Sequence, residues 1–182
     1  MVNLDKNPKI KPPSGGRVVA IDGLIIDRRK TWPEAINSAV THEGLNADEM
    51  EQQRKVLRCG NQFSRPGAGL SLFNKTTYLV NFGPEPSFSS VIGWVKANNC
   101  KFRSPRVVFA IAENWGNLDL ELGVANLCLL SDICCFWGES VPHWVCVKWL
   151  EGLRFVELRD ERVFSNKEVW LVCTAREKEK KG

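Results

Sequence analysis

The sequence predicts an α+β domain: a small mixed or antiparallel sheet with two helices, preceded by an N-terminal β-hairpin and a further helix. Three observations lead there. Val145, Val147 and Trp149 alternate with Cys146, Lys148 and Leu150, and alternation resumes from Leu153 to Arg159 across Glu151-Gly152. Period two on both sides of a two-residue, Gly-containing break is a hairpin pattern. Thr76 to Phe82 and Val169 to Cys173 are short runs of strand formers, of a length suited to buried strands. Between them, Ser87 to Asn98 and Ser104 to Asn114 each place a capping residue before apolar positions that fall on one helical face.

Length and composition narrow the class. A chain of 182 residues with 43% hydrophobic and 25% charged content is globular and able to bury a sizeable core. The net charge is +4, and residues 176–182 hold four Lys/Arg against two Glu, so the body is close to neutral. That balance does not call for nucleic acid, which ranks last among partners. No apolar run approaches the roughly 20 residues needed to span a bilayer, and the polar start MVNLDKNPKIKPPSGG is no signal peptide. Seven cysteines, mostly within apolar runs, behave as small core hydrophobes and suit a reducing, cytoplasmic setting.

Taken in order, residues 1–16 form a disordered arm, because Pro12-Pro13-Ser14-Gly15-Gly16 suits neither helix nor strand interior. Residues 17–75 form an N-terminal extension. In it, Asp22-Gly23 between two apolar runs predicts a tight hairpin. Thr31 then caps a helix to about Val40, with Pro33 in the first turn, Glu34 completing the cap, and Trp32, Ala35, Ile36 and Ala39 buried. Asn46 to Cys59 reads as a second, mostly solvated helix, and residues 60–75 as a loop. The Gly67-Ala68-Gly69 within that loop lacks the strand, helix and Lys that a phosphate cradle needs. Residues 76–176 form the main domain. After the two helices come a turn-rich link at 114–121 and an apolar run at 122–130, either strand or short helix. A buried strand at Ile133–Trp137 ends at Gly138, followed by the hairpin, the closing strand and a charged tail at 177–182.

Three stretches resemble the C-type-lectin-like fold in its formylglycine-generating-enzyme-like form. They are Lys101-Phe102-Arg103-Ser104-Pro105 leading into a helix, Cys135-Phe136-Trp137-Gly138-Glu139-Ser140, and the closing Val169-Trp170-Leu171-Val172-Cys173-Thr174-Ala175. The layout is also similar to that of a group of small bacterial proteins with no assigned activity. The resemblance implies that the last strand pairs with the first, joining Thr76–Phe82 to the C-terminal segment. It does not carry the family's functions across. There is no Glu-Pro-Asn, Gln-Pro-Asp or Trp-Asn-Asp triplet for a calcium-dependent sugar site, and only His42 and His143 are present. Cys134 and Cys135 are adjacent, so in a strand they point to opposite faces.

The function expected on these grounds is a non-enzymatic binding module for a protein or glycan, without cofactor or calcium. Its contacts are expected from the loops between residues 113 and 144 and the neighbouring hairpin: Trp115, Trp137, Glu139, His143, Trp144, Arg154 and Arg159. Aromatics beside arginines make a usable binding surface. The alternative is a metal or thiol enzyme built on Cys135, His143 and Cys146. Against it, the spacing lacks Cys-x-x-Cys knuckles, no orienting carboxylate is evident, and burial accounts for the cysteines. Glu113, Asp119 and Glu121 read as a solvated face rather than an acid–base pair.

Overall fold

The computed structural model describes residues 3–6, 8–41, 43–58, 70–72, 76–84, 86–102, 104–131, 143–159 and 169–175. The chain is an α+β protein, as expected. Its strands are β1 (Asn3–Asp5), β2 (Arg17–Asp22), β3 (Ile25–Asp27), β4 (Leu70–Leu72), β5 (Thr77–Asn81), β6 (Cys100–Lys101), β7 (Asn126–Ser131), β8 (His143–Leu150), β9 (Leu153–Arg159) and β10 (Val169–Ala175). Its helices are α1 (Trp32–Ala39), α2 (Ala47–Arg58), α3 (Phe88–Ala97), α4 (Arg106–Asn114) and α5 (Leu118–Leu122). The main sheet runs β1-β2-β5-β10-β7-β8-β9, with β6 also paired to β10. Its pairs are antiparallel except β10–β7, which is parallel.

The hairpin forms where the alternation places it. Leu150 faces Leu153, and Glu151 and Gly152 between them have φ of 51° and 81°. Two positive φ values make the turn whose twist matches the flanking strands. The pairing of β5 with β10 is also present, with Leu171 opposite Val80 and Cys173 opposite Tyr78.

Strand periodicity divides the core between the two sheet faces. On one face Val19, Leu79, Leu127 and Trp170 pack beneath α1 and α4. On the other, Val80, Cys128, Leu171 and Cys173 pack with Val91 and Val95 of α3. Helix α1 begins with the expected capping box: Thr31 Oγ1 accepts from Glu34 N, and Thr31 N donates to Glu34 Oε2. It buries Trp32, Ala35, Ile36 and Ala39 as expected. In α2 only Val56 is buried, and a second reciprocal cap joins Asn46 and Glu49. All six residues from Val107 to Ala112 are buried in α4, which lies between α1 and the sheet.

Several expectations need correction. Asp22-Gly23 does not make a hairpin. Gly23, at φ 74°, turns the chain out of the main sheet, and β3 pairs instead with β4, inside the segment expected to be a loop. The sheet is larger than expected because β2 adds to the side of β5 away from β10. Residues 3–5 of the supposedly disordered arm pair with β2 at Asp22, Ile21 and Ala20, and Trp94 Nε1 holds the arm further on through Lys11 O at 3.1 Å. The link at 114–121 contains α5, which buries Leu118 and Leu122 one turn apart and ends at left-handed Gly123. The apolar run at 122–130 is strand only from Asn126. The expected strand at 133–137, the Gly67–Gly69 segment and the 177–182 tail lie outside the described residues.

Candidate functional site

Of the residues expected to form a binding surface, those whose side chains are described, Trp115, Trp144, Arg154 and Arg159, are held in separate surroundings. Trp144 is 1% exposed, and its ring stands edge-on to Phe102 and Phe88 in the α3-side core. An indole buried in this way offers no face to a partner. The alternation of β8 turns it inward beside Cys146, which is why a strand-end position proves to be core. Trp115 is half-buried against the opposite core. Arg154 is structural: its guanidinium donates to Ala112 O and lies against Gly116. Arg159 is tied to Glu157 in an ion pair on its own strand. His143 opens β8, and Trp137 and Glu139 lie outside the described residues.

The thiol alternative loses a component. Cys128 and Cys146 face each other across β7 and β8 with a Cα–Cα separation of 4.2 Å, and they are joined in a disulfide. Such facing positions hold the side chains close enough to bridge. Cys146 therefore has no thiol to act as nucleophile or ligand, and Cys135 lies outside the described residues. The bridge also removes the premise of unpaired cysteines on which a reducing compartment was expected. Cys100 and Cys173 are both buried. Hydrogen bonding with Cys100, then burial, pushes the Cys173 thiol well up, away from the reactive thiolate. Among the described residues no cluster of His, Cys, Asp and Glu is placed to hold a metal, and no helix is long and apolar enough to cross a membrane.

A different site arises at the β2 edge. Strand β1 covers only residues 20–22 of β2, so the outer edge of residues 17–19 has no strand partner among the described residues. Beyond β1 the chain stands away from this edge through Pro8, Ile10 and Pro12, then returns at Gly16. The return is tight: a Cβ on Gly16 would lie 2.1 Å from Asn81 O, so only glycine brings the arm this close to the end of β5. Between arm and sheet lies a half-open groove of about 440 Å³, within the range of small-molecule sites.

Sheet register assembles its floor. Arg17 pairs with Asn81, and extending the β5–β10 register by one residue puts Trp170 in the same row. The Arg17 guanidinium lies over the Trp170 ring at 5.1 Å from its centroid, a cation–π contact, and Arg17 Nη2 reaches Leu122 O at 3.4 Å. Trp170 is wholly buried, and its indole N–H has no hydrogen-bond partner among the described residues. By contrast, Trp32 donates to Val56 O, Trp94 to Lys11 O and Trp149 to Gly116 O. A buried donor left unpaired costs about 1–3 kcal/mol. Lys6, Arg17 and Trp170 are the residues with polar side chains lining the groove, and all three are donors. Val18, Val19 and Leu122 supply its apolar walls.

Sequence reasoning missed this group. Trp170 read as a strand interior, Arg17 as the start of a hairpin, and Lys6 as part of a featureless arm. The proline-rich arm beside a strand starting with Arg was the available signal, but no local pattern reports that β5 and β10 carry Trp170 beneath Arg17. Fold and site together define an α+β domain with an apolar, donor-rimmed groove at one edge of its sheet. No protein-family model, curated protein or solved structure matches this chain.

Proposed function

We propose that this protein is a non-enzymatic binding module whose ligand sits in the groove between the N-terminal arm and the open edge of β2. The observation that carries the reading is the groove's lining: among the described residues, apolar walls, a polar complement made entirely of donors, and no His, Cys, Ser, Asp or Glu. Those are the elements of recognition without an acid–base pair or an activated nucleophile. The size of the groove favours a small ligand, or a short part of a larger one, over the broad protein or glycan contact expected from the loops between residues 113 and 144. The C-type-lectin-like assignment of the scaffold is likewise a proposal, made on the likeness of residues 101–105, 135–140 and 169–175.

A thermal-shift screen of a mixed panel of small organic acids, amides, amines and sugars tests the reading. It is run on the wild type and on Leu122→Trp, which fills the groove from α5, with circular dichroism verifying the fold of the variant. Compounds that raise the wild-type midpoint and leave Leu122→Trp unmoved are expected. A panel with no hits, or hits shared equally by both proteins, overturns the proposal.

A further inference from the structure

We infer that the groove takes a monocarboxylate with an apolar body, an inference that rests on the binding reading above. The argument is one of complementarity. The exposed Lys6 and Arg17 bring two positive charges to the groove, and no carboxylate lines it among the described residues. The guanidinium of Arg17 has the ring of Trp170 and the carbonyl of Leu122 as its neighbours, with no bidentate carboxylate partner among the described residues. A guanidinium over an aromatic face is desolvated on one side, which strengthens its attraction for an anion. The indole N–H of Trp170, without a partner among the described residues, is a third donor on a ring that lines the groove. An acceptor-rich head group is the complement of such a donor set.

The rest of the lining sets the body of the ligand. Val18, Val19, Leu122 and Ile10 offer no polar side chain, and Pro8 and Pro12 have no backbone N–H to give. A polyhydroxylated body would bury hydroxyls without partners there, at a cost. An alkyl or aryl body is accepted, with its carboxylate at the Lys6–Arg17 end. Because β1 stops at Asp5, the arm from Lys6 to Gly16 supplies one wall while being held at Lys11 by Trp94. Wall and charge thus come from a segment tethered at both ends and in the middle.

The test uses octanoate, octanamide and octylammonium as probes, titrated calorimetrically into wild type, the Lys6→Gln/Arg17→Gln double variant and Leu122→Trp. Octanoate is expected to bind the wild type. Octanamide should bind at least about tenfold more weakly, the loss of a charge-assisted contact, and octylammonium should not bind. The double variant changes two exposed side chains, so its fold is retained, and its octanoate affinity should fall to that of octanamide. Equal binding of octanoate and octanamide, both lost in Leu122→Trp, overturns the carboxylate assignment while leaving the binding module in place. Octanoate binding that survives in the double variant overturns the site. No binding of any probe overturns the inference, and if the wider panel also yields no hit, the binding module falls with it.

Discussion

The two edges of the main sheet are built differently. At the β9 edge, Thr41 N donates to Arg154 O at 2.8 Å and Arg154 N donates to Thr41 Oγ1 at 3.1 Å. Helix α2 packs along the same strand, and Leu153 lies against Gly44. At the opposite edge, β1 covers only half of β2, and the arm then stands off it around a groove. An uncovered strand edge is a liability that proteins usually close with pairing, charge or proline. The β9 edge is closed by backbone and hydroxyl pairing. The β2 edge has prolines and cations beside it and still leaves a cavity. The contrast frames the proposal as a division of roles, with stability on the β7–β9 side and the proposed recognition on the β2 side.

That division can be broken by experiment. The largest stability effect is expected at the Cys128–Cys146 disulfide, which joins residues separated by 18 positions. Its removal by paired Ser substitution should cost about 3 kcal/mol on the loop-closure account, measured by urea unfolding, with octanoate affinity unchanged. A loss of affinity as large as that at the open edge would show that the two sides are not separate. Next, Thr41→Val removes the acceptor of Arg154 N and should cost about 1 kcal/mol, again without effect on binding. Arg17→Gln reverses the pattern: its stability change should stay within about 0.5 kcal/mol, as for an exposed side chain, while octanoate binding weakens.

The smallest effect is expected at Asp27, on β3 outside the main sheet. Its hydrogen bond with Arg29 holds the carboxyl down at about 2. A carboxyl depressed in the folded state adds stability above its unfolded value near pH 4, and that stability is lost as pH falls through about 2. NMR titration of Asp27 should show the low midpoint, and Arg29→Gln should return it toward the usual carboxylate range. An unshifted Asp27 in the wild type would remove this ion pair from the account.

How much of this was legible in the sequence follows the range of the interactions. The β8–β9 hairpin, the Thr31 capping box and the buried face of α1 are settled within a few residues, where alternation, turn chemistry and cap spacing decide. Asp22-Gly23 carries the same local signal as a hairpin and yields none, because β2 gains more by pairing with the central β5 than by folding back on the short β3. The disulfide depends on β7 and β8 being in a register that brings Cys128 opposite Cys146, which spacing alone does not reveal. The groove is less legible still. It needs Lys6, Arg17, Leu122 and Trp170, drawn from four parts of the chain and joined only by the order of strands. Trp144 shows the opposite error: an aromatic near a loop read as surface, because its strand phase is shared with Lys148 and Leu150 and only the packing of Phe88 and Phe102 over it makes it core.

The most direct measurement is a two-dimensional nitrogen–proton spectrum of the tryptophan indoles as octanoate is added. Trp149 serves as an internal reference, since its N–H already donates to Gly116 O at the sealed side of the sheet. The Trp170 signal, assigned by its absence in Trp170→Phe, should move progressively with octanoate while the Trp149 signal stays in place. A Trp170 signal that remains fixed while octanoate binds would contradict the placement of recognition at the open edge.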